Sequence, residues 1–200
     1  MSSSISNVSL SANKPANRRV MSLLLLVSVA PFVASYLAYY VWKPTQSKTH
    51  GQLLTIQPLP TVLMVDQAGQ PVSLMNMRGK WILLMADGAA CDARCQRKSY
   101  LLQQVRTAQG KERVRVERLW LVDDTQPVTT PETVRGVHVW RAAGSELIQA
   151  LPVPGDRDRR DYVYLVDPLG NQVMRYRLDQ DPVRMLKEIA KLLKNNEALG

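Results

Sequence analysis

The amino-acid sequence predicts an α/β domain, with a mixed sheet flanked by helices, that follows one N-terminal transmembrane helix. Three observations predict this class. Residues 20–42 form an uncharged run of 23 residues, which is long enough to cross a bilayer. Residues 79–123 have the pattern of a strand, a helix and a second strand, an arrangement that joins parallel neighbours in a sheet. Residues 162–195 add two alternating segments and a helix with one apolar face.

The N-terminal region has the features of a retained membrane anchor. Residues 1–19 are polar and end in a basic pair, so we expect a disordered cytoplasmic tail. Aromatic residues at 36–42 suit the far membrane interface. A cleaved signal peptide is the alternative, with a candidate cleavage site at 28–30, but the apolar run continues past a usual signal core. We therefore expect a single-pass protein of a bacterial inner membrane, with its C-terminal domain in the periplasm.

The remaining elements are assigned from periodicity and turn residues. Residues 43–60 are polar with three prolines and predict a linker. The segments that follow predict a hairpin at 61–74, a buried strand at 81–86, a helix at 94–108, a strand at 114–123, a helical turn at 131–134, a short strand at 137–140, a helix at 144–150, a hairpin with strands 162–166 and 172–177, and a terminal helix opened by Asp181 and Pro182. This order predicts one thioredoxin-like domain over 61–195, with 196–200 as a short tail.

Both cysteines, Cys91 and Cys95, lie where the central strand passes into a helix. We expect Cys91 in the first turn of that helix and Cys95 one turn later on the same face. The helix dipole and the nearby charges of Arg94, Arg97 and Lys98 favour the thiolate there. The spacing allows a disulfide or one soft metal ion between the sulfurs, so the pair is the candidate reactive site rather than two inert core residues.

The formal net charge is +9, but no nucleic-acid recognition motif accompanies it, so we expect no nucleic-acid partner. Anionic lipid or an acidic protein is the better match for such a charge. The basic run 157–160 is expected to be a solvated face. If the fold brings that run beside the cysteines, it could steer an acidic partner.

These residues resemble the Sco family, membrane-tethered thioredoxin-fold proteins that help to build the binuclear copper site of cytochrome c oxidase. The resemblance covers about residues 60–195. It is carried by Gly79-Lys80 before the central strand, by Cys91-x3-Cys95, and by Tyr164-Leu165-Val166-Asp167-Pro168-x-Gly170. It implies copper, as Cu(I), bound by the two cysteines, and it implies cytochrome c oxidase subunits or other periplasmic thiol proteins as partners.

The chain departs from the Sco pattern at several positions. The histidine that completes the family's copper site falls near Arg159 here, so the expected third ligand is missing. Asp92 and Gln96 stand where prolines commonly flank the Sco cysteines, and Asp161 stands where thioredoxins have a cis-proline. The chain is therefore expected to be a divergent Sco-like protein.

Three other residues are weaker candidates for the site. His138 lies on a predicted strand and is either a metal ligand or a core or edge histidine. Met85 could supply a thioether, although its place in the strand pattern favours packing. Asp87 could accept a proton from the thiols, although a turn role is favoured.

Three functions remain open from the sequence. The first is an oxidase assembly factor that holds Cu(I) between Cys91 and Cys95 or keeps partner cysteines reduced. The second is a periplasmic thiol–disulfide oxidoreductase, an enzyme with Cys91 as the exposed nucleophile and Cys95 as the resolving thiol. The third is a scaffold that has kept the fold without the chemistry.

Overall fold

In a computed structural model of the protein, the described residues are 16–41, 51–129 and 131–196. They belong to two separate units, an N-terminal one and a domain that begins at Thr49. The predicted tails 1–19 and 196–200 lie almost entirely outside the described residues, as does Trp42 at the end of the predicted membrane span.

The N-terminal unit is a single helix, α1 (Ala16–Val41), which contains Pro31. Its stretch Arg18–Leu37 is long and apolar enough to cross a membrane. Every side chain described in this stretch is exposed, and apolar side chains exposed over such a length are stable when lipid covers them. The prediction of one N-terminal candidate transmembrane helix is confirmed.

The domain is built on an eight-stranded mixed sheet in the order β1-β8-β7-β4-β5-β6-β2-β3. Strands β4, β5 and β6 are mutually parallel, and the other pairs are antiparallel. The strands are β1 (Gln52–Pro58), β2 (Met64–Asp66), β3 (Pro71–Val72), β4 (Trp81–Asp87), β5 (Val116–Val122), β6 (His138–Arg141), β7 (Tyr162–Val166) and β8 (Asn171–Arg177). The helices of the domain are α2 (Ala93–Ala108), α3 (Glu146–Ala150) and α4 (Pro182–Asn195).

The central strand β4 is buried on both sides because helices pack on both faces of the sheet. Alternate residues of β4 enter two core clusters: Leu83 and Met85 pack with α2 and α4, and Ile82 and Leu84 pack with α3. This double burial is why the strand has a continuous apolar sequence. The prediction of a thioredoxin-like α/β fold is confirmed.

Two local predictions need correction. Residues Gln52–Pro58, inside the range predicted as a linker, form the edge strand β1, which pairs with β8. This strand was missed because most of its residues are exposed and carry no burial pattern. The strand predicted from 114 begins at Val116, because Gly110–Arg115 form a 3-10 segment after α2.

Candidate functional site

Cys91 and Cys95 form a disulfide, with an Sγ–Sγ distance of 2.00 Å and a Cα–Cα distance of 4.9 Å. The bond lies where β4 passes into α2, so the structure brings together the pair that the sequence selected. The N–H of Cys91 donates to the carbonyl of Gly88 at 3.1 Å, which closes a tight turn after the central strand.

The start of α2 differs from the prediction. The N-cap is Asp92, whose side chain accepts from the N–H of Cys95 at 2.9 Å, and the helix begins at Ala93. Cys91 therefore precedes the helix rather than lying in its first turn. Its φ of +42° is the one positive value among the described non-glycine residues, a conformation that costs roughly 1–2 kcal/mol for a residue with a Cβ. This backbone conformation lets the sulfur of Cys91 reach back to that of Cys95.

Both cysteines are buried. Cys91 exposes 2% of its surface and Cys95 none, and both belong to the core cluster on the α2 side of the sheet. The loop between β5 and β6 contributes Val128 and Val134 to this cluster, and the N–H of Thr129 donates to the carbonyl of Ala89 at 2.9 Å. The prediction of Cys91 as an exposed nucleophile is therefore wrong for the disulfide form, and a partner can reach the sulfurs only if the residues packed around them move.

A buried ion pair lies beside the disulfide. The ammonium of Lys98 is 2.8 Å from a carboxylate oxygen of Asp87 and donates to the carbonyls of Ala86 at 2.8 Å and Arg160 at 2.7 Å. Burial lowers the pKa of Lys98, and the charge of Asp87 offsets part of that effect. Lys98 is one helical turn after Cys95, so this ion pair lies on the same side of α2 as the second cysteine.

The sequence analysis named both members of this pair but missed their role. Asp87 is structural, because it binds Lys98 and accepts from the N–H of Gly88 at 3.0 Å, which agrees with the favoured turn role. The sequence analysis considered Lys98 only as one of the positive charges near the cysteines. Its burial could have been predicted from its spacing, because it lies three residues after Cys95 and four before Leu102, on the inward face of α2.

The basic run 157–160 is only partly a solvated face. Arg160 makes a two-pronged ion pair with Asp123, with N–O distances of 2.8 and 2.5 Å. Arg159 donates to the carbonyl of Ile148 at 2.8 Å. Arg157 is exposed. Through the bond between Lys98 and the Arg160 carbonyl, this segment is tied to α2 and thus lies near the disulfide.

The donor atoms near the sulfurs fit one oxidation state of copper only. Among the described residues, no group of three or more His, Cys, Asp or Glu side chains could hold a metal ion. His138 lies on β6 opposite Leu119, and its ring is 3.6 Å from Glu117. Met85 is fully buried in the core. Two thiolates without a nitrogen ligand suit Cu(I) and not Cu(II), and the pair must be reduced before it can bind a metal.

Comparison with protein families identifies the family to which this domain belongs. The model of a family described as "Transmembrane-like, thioredoxin-like, C-terminal domain" matches residues 81–196, which is more than half of the chain. The chain belongs to this family. A comparison with curated protein sequences found no significant match. The family description agrees with both parts of the molecule, the apolar helix α1 and the thioredoxin-like domain.

Solved structures of Sco proteins share the fold of this thioredoxin-like domain. Bradyrhizobium japonicum ScoI with copper bound is 19% identical, covering 68% of this chain and 99% of that one, with a TM-score of 0.51. Yeast Sco1 with copper bound is 17% identical, covering 68% and 92%, with a TM-score of 0.56. Thermus thermophilus apo Sco1 is 16% identical, covering 74% and 99%, with a TM-score of 0.55. The predicted likeness to the Sco fold is confirmed.

Proposed function

We propose that this protein is a membrane-anchored, Sco-like thiol protein that assists the assembly of respiratory cytochrome c oxidase by thiol–disulfide exchange at Cys91 and Cys95. One observation carries the proposal. The two cysteines of the chain are joined in a disulfide at the junction of the central strand and α2, in a fold shared with Sco proteins. A disulfide that links residues four apart closes a loop too short to stabilise a fold much, so its value lies in its chemistry.

The exchange conserves atoms and electrons. In the reduced protein, the thiolate of Cys91 attacks a disulfide of the partner, forms a mixed disulfide and releases one partner thiolate, which takes up a proton. The thiolate of Cys95 then attacks the sulfur of Cys91, re-forms the intramolecular disulfide and releases the second partner thiolate. The partner gains two electrons and two protons. A periplasmic protein dithiol must return them to Cys91–Cys95 before the next cycle.

Copper enters this proposal as cargo. The reduced pair offers two soft sulfur donors, which suit Cu(I) in two-coordinate form. In sequence, Arg159 falls near the position at which the Sco family has its third ligand, and its guanidinium donates to the Ile148 carbonyl. This substitution favours the reduction of partner cysteines as the principal activity, with Cu(I) binding as a weaker property of the same site.

Localisation follows from the same reasoning. Arg18 and Arg19 lie in the first turn of α1, directly before its uncharged apolar run, and a basic flank favours the cytoplasmic side. The domain then faces the periplasm, where disulfide exchange takes place. Protease treatment of spheroplasts should digest the domain, whereas protection of the domain would reverse the proposed orientation.

The function is tested by trapping and by titration. A Cys95→Ser variant expressed in cells should accumulate a mixed disulfide through Cys91 with an oxidase subunit, and Cys91→Ser should not. Reduced protein should bind one equivalent of Cu(I) under anaerobic conditions and lose it in Cys91→Ser. A Cys91→Ser/Cys95→Ser variant that supports full oxidase activity would show that the protein acts as a scaffold instead.

The trapped partner also separates this proposal from its nearest alternative. Mixed disulfides with many periplasmic proteins and none with oxidase subunits would identify a general thiol–disulfide oxidoreductase.

A further inference from the structure

A basic cavity opens beside the first turn of α2. Its volume is about 720 Å³, within the range of cavities that enclose a small ligand or a few side chains. Three separate segments line it: α2, the loop before β7, and the end of β8 with the residues after it. Its charged lining residues are Arg94, Arg97, Arg157, Asp161, Arg177 and Asp179.

Four arginines and two aspartates line this cavity, so the lining has an excess of positive charge. Arg94 is 3.4 Å from Asp161, and Arg177 is paired with Asp179. Among the residues that the structure describes, no acidic side chain forms an ion pair with Arg97 or Arg157, and both are exposed. Two guanidinium groups from distant parts of the chain thus face one concave site with their charge uncompensated.

We propose that this cavity binds an acidic segment, rich in Asp and Glu, of the thiol protein that exchanges with Cys91–Cys95. The proposal rests on the proposed function and names its class of partner. Guanidinium groups bind carboxylates through paired hydrogen bonds. Arg94 lies between the two cysteines in sequence, so a segment held in the cavity places neighbouring residues of the same partner near the strand–helix junction that contains the disulfide.

The shape and the acidic residues of the cavity favour a protein segment over a membrane surface. A bilayer presents a broad surface of headgroups that cannot enter a concave site, whereas an extended peptide can. Asp161 and Asp179, which are paired with Arg94 and Arg177, can also accept hydrogen bonds from the backbone of a peptide, and a lipid headgroup without N–H groups cannot use them. They also separate the arginines, which favours spaced carboxylates over one compact anion.

The test uses full-length protein in a non-ionic detergent and a short fluorescent Asp/Glu peptide, with its Asn/Gln counterpart as the neutral probe. Fluorescence anisotropy should show binding of the acidic peptide that weakens with salt, and none of the neutral one. Arg97→Glu/Arg157→Glu should weaken binding by about tenfold or more, because two charge-assisted contacts become repulsive. Arg97→Gln/Arg157→Gln should weaken it less, in the same direction.

The matched control is Lys111→Glu/Arg113→Glu, which makes the same change in net charge on an exposed 3-10 segment beyond the other end of α2. Equal weakening by the control and cavity variants would overturn the proposal, as would no binding of the acidic peptide by the wild type. Displacement of the peptide by short-chain phosphatidylglycerol, but not by phosphatidylcholine, would also overturn it and would assign the cavity to lipid headgroups.

Reduction by dithiothreitol separates this proposal from the exchange chemistry. This neutral dithiol should reduce the disulfide of the wild type whether or not the acidic peptide binds, because it carries no charge that the cavity could hold. Normal reduction and partner trapping without acidic-peptide binding would refute the cavity assignment alone. Peptide binding without any mixed disulfide in Cys95→Ser would refute the exchange function while leaving the cavity as a binding site.

Discussion

Replacement of Lys98 by Met tests the buried ion pair beside the disulfide. The ammonium of Lys98 has three acceptors within 2.8 Å: the carboxylate of Asp87 and the carbonyls of Ala86 and Arg160. Met fills a similar volume but supplies none of these bonds. The buried carboxylate then keeps the Gly88 N–H at 3.0 Å and a distant guanidinium, that of Arg94, at 3.8 Å.

The expected loss is large because one charge remains in the core. Removal of one partner of a buried ion pair typically costs about 3–5 kcal/mol. This range already includes the cost of leaving the two carbonyls without the hydrogen-bond donor that Lys98 supplied. We therefore expect Lys98→Met to lower the free energy of unfolding by about 4 kcal/mol, a large part of the total for a domain of ordinary stability.

Guanidinium chloride denaturation of the full-length protein in detergent measures this loss. Tryptophan fluorescence is a suitable signal, since the indole N–H of Trp120 donates to the Asp87 carbonyl at 3.2 Å. In Lys98→Met/Asp87→Asn no buried charge remains, so more than half of the lost stability should return. Lys111→Met, on the exposed surface, should change stability by less than about 0.5 kcal/mol.

The pH dependence has a definite sign. Burial lowers the pKa of Lys98 below its ordinary value of 10.5. Between the folded and unfolded pKa values the unfolded chain binds the additional proton, so stability rises with pH in that interval. The wild type should gain stability relative to Lys98→Met as the pH rises towards 10.5. A loss below about 1 kcal/mol in Lys98→Met, or a double variant as unstable as the single one, would refute the reasoning.

The remaining predictions concern the surroundings of the site and the core. Asp92→Ala removes the N-cap of α2 and should cost about 1 kcal/mol at neutral pH. The N–H of Cys95 lowers the pKa of Asp92 below 3.8. The difference in stability between Asp92→Ala and the wild type should therefore vanish as the pH falls through that folded pKa. A difference that persists in acid would contradict this. Burial raises the pKa of Tyr164 above 10.0, so the stability of the wild type should fall as the pH rises above that value. The stability of Tyr164→Phe, measured by denaturant titration, should fall less steeply with pH. Parallel curves for the two proteins would exclude this cause. Gly88→Ala would place a Cβ 2.8 Å from the Asp124 carboxylate, which accepts from the Ala89 N–H at 3.1 Å. Displacement of the carboxylate weakens that bond and should cost about 1 kcal/mol, and an unchanged denaturation midpoint would count against this contact.

The predicted elements agree with the structure where the local sequence pattern reflects the burial of the residues. The apolar run 81–86 lies in β4, Asp181-Pro182 opens α4, and Ile189 and Leu193 lie on the buried face of that helix as predicted, whereas Val183 is exposed and Met185 takes the buried position in the first turns. The edge strand β1 was not predicted because an exposed strand has no apolar alternation to identify it. Cys91 was wrongly placed in the first turn of α2, because Asp92 acts as the N-cap through its bond with the Cys95 N–H and the helix begins after it, at Ala93.

Sequence periodicity alone was enough for the fold class, the membrane-length helix and the selection of Cys91 and Cys95 as a pair, which the structure joins in a disulfide. These features depend on residues close together in the chain, where spacing determines which side chains share a face. Three-dimensional contacts decided the rest: the burial of both cysteines, the pairing of Lys98 with Asp87, and the convergence of arginines from three segments on one cavity. Burial and charge pairing depend on segments that are far apart in sequence, so only the folded chain defines them.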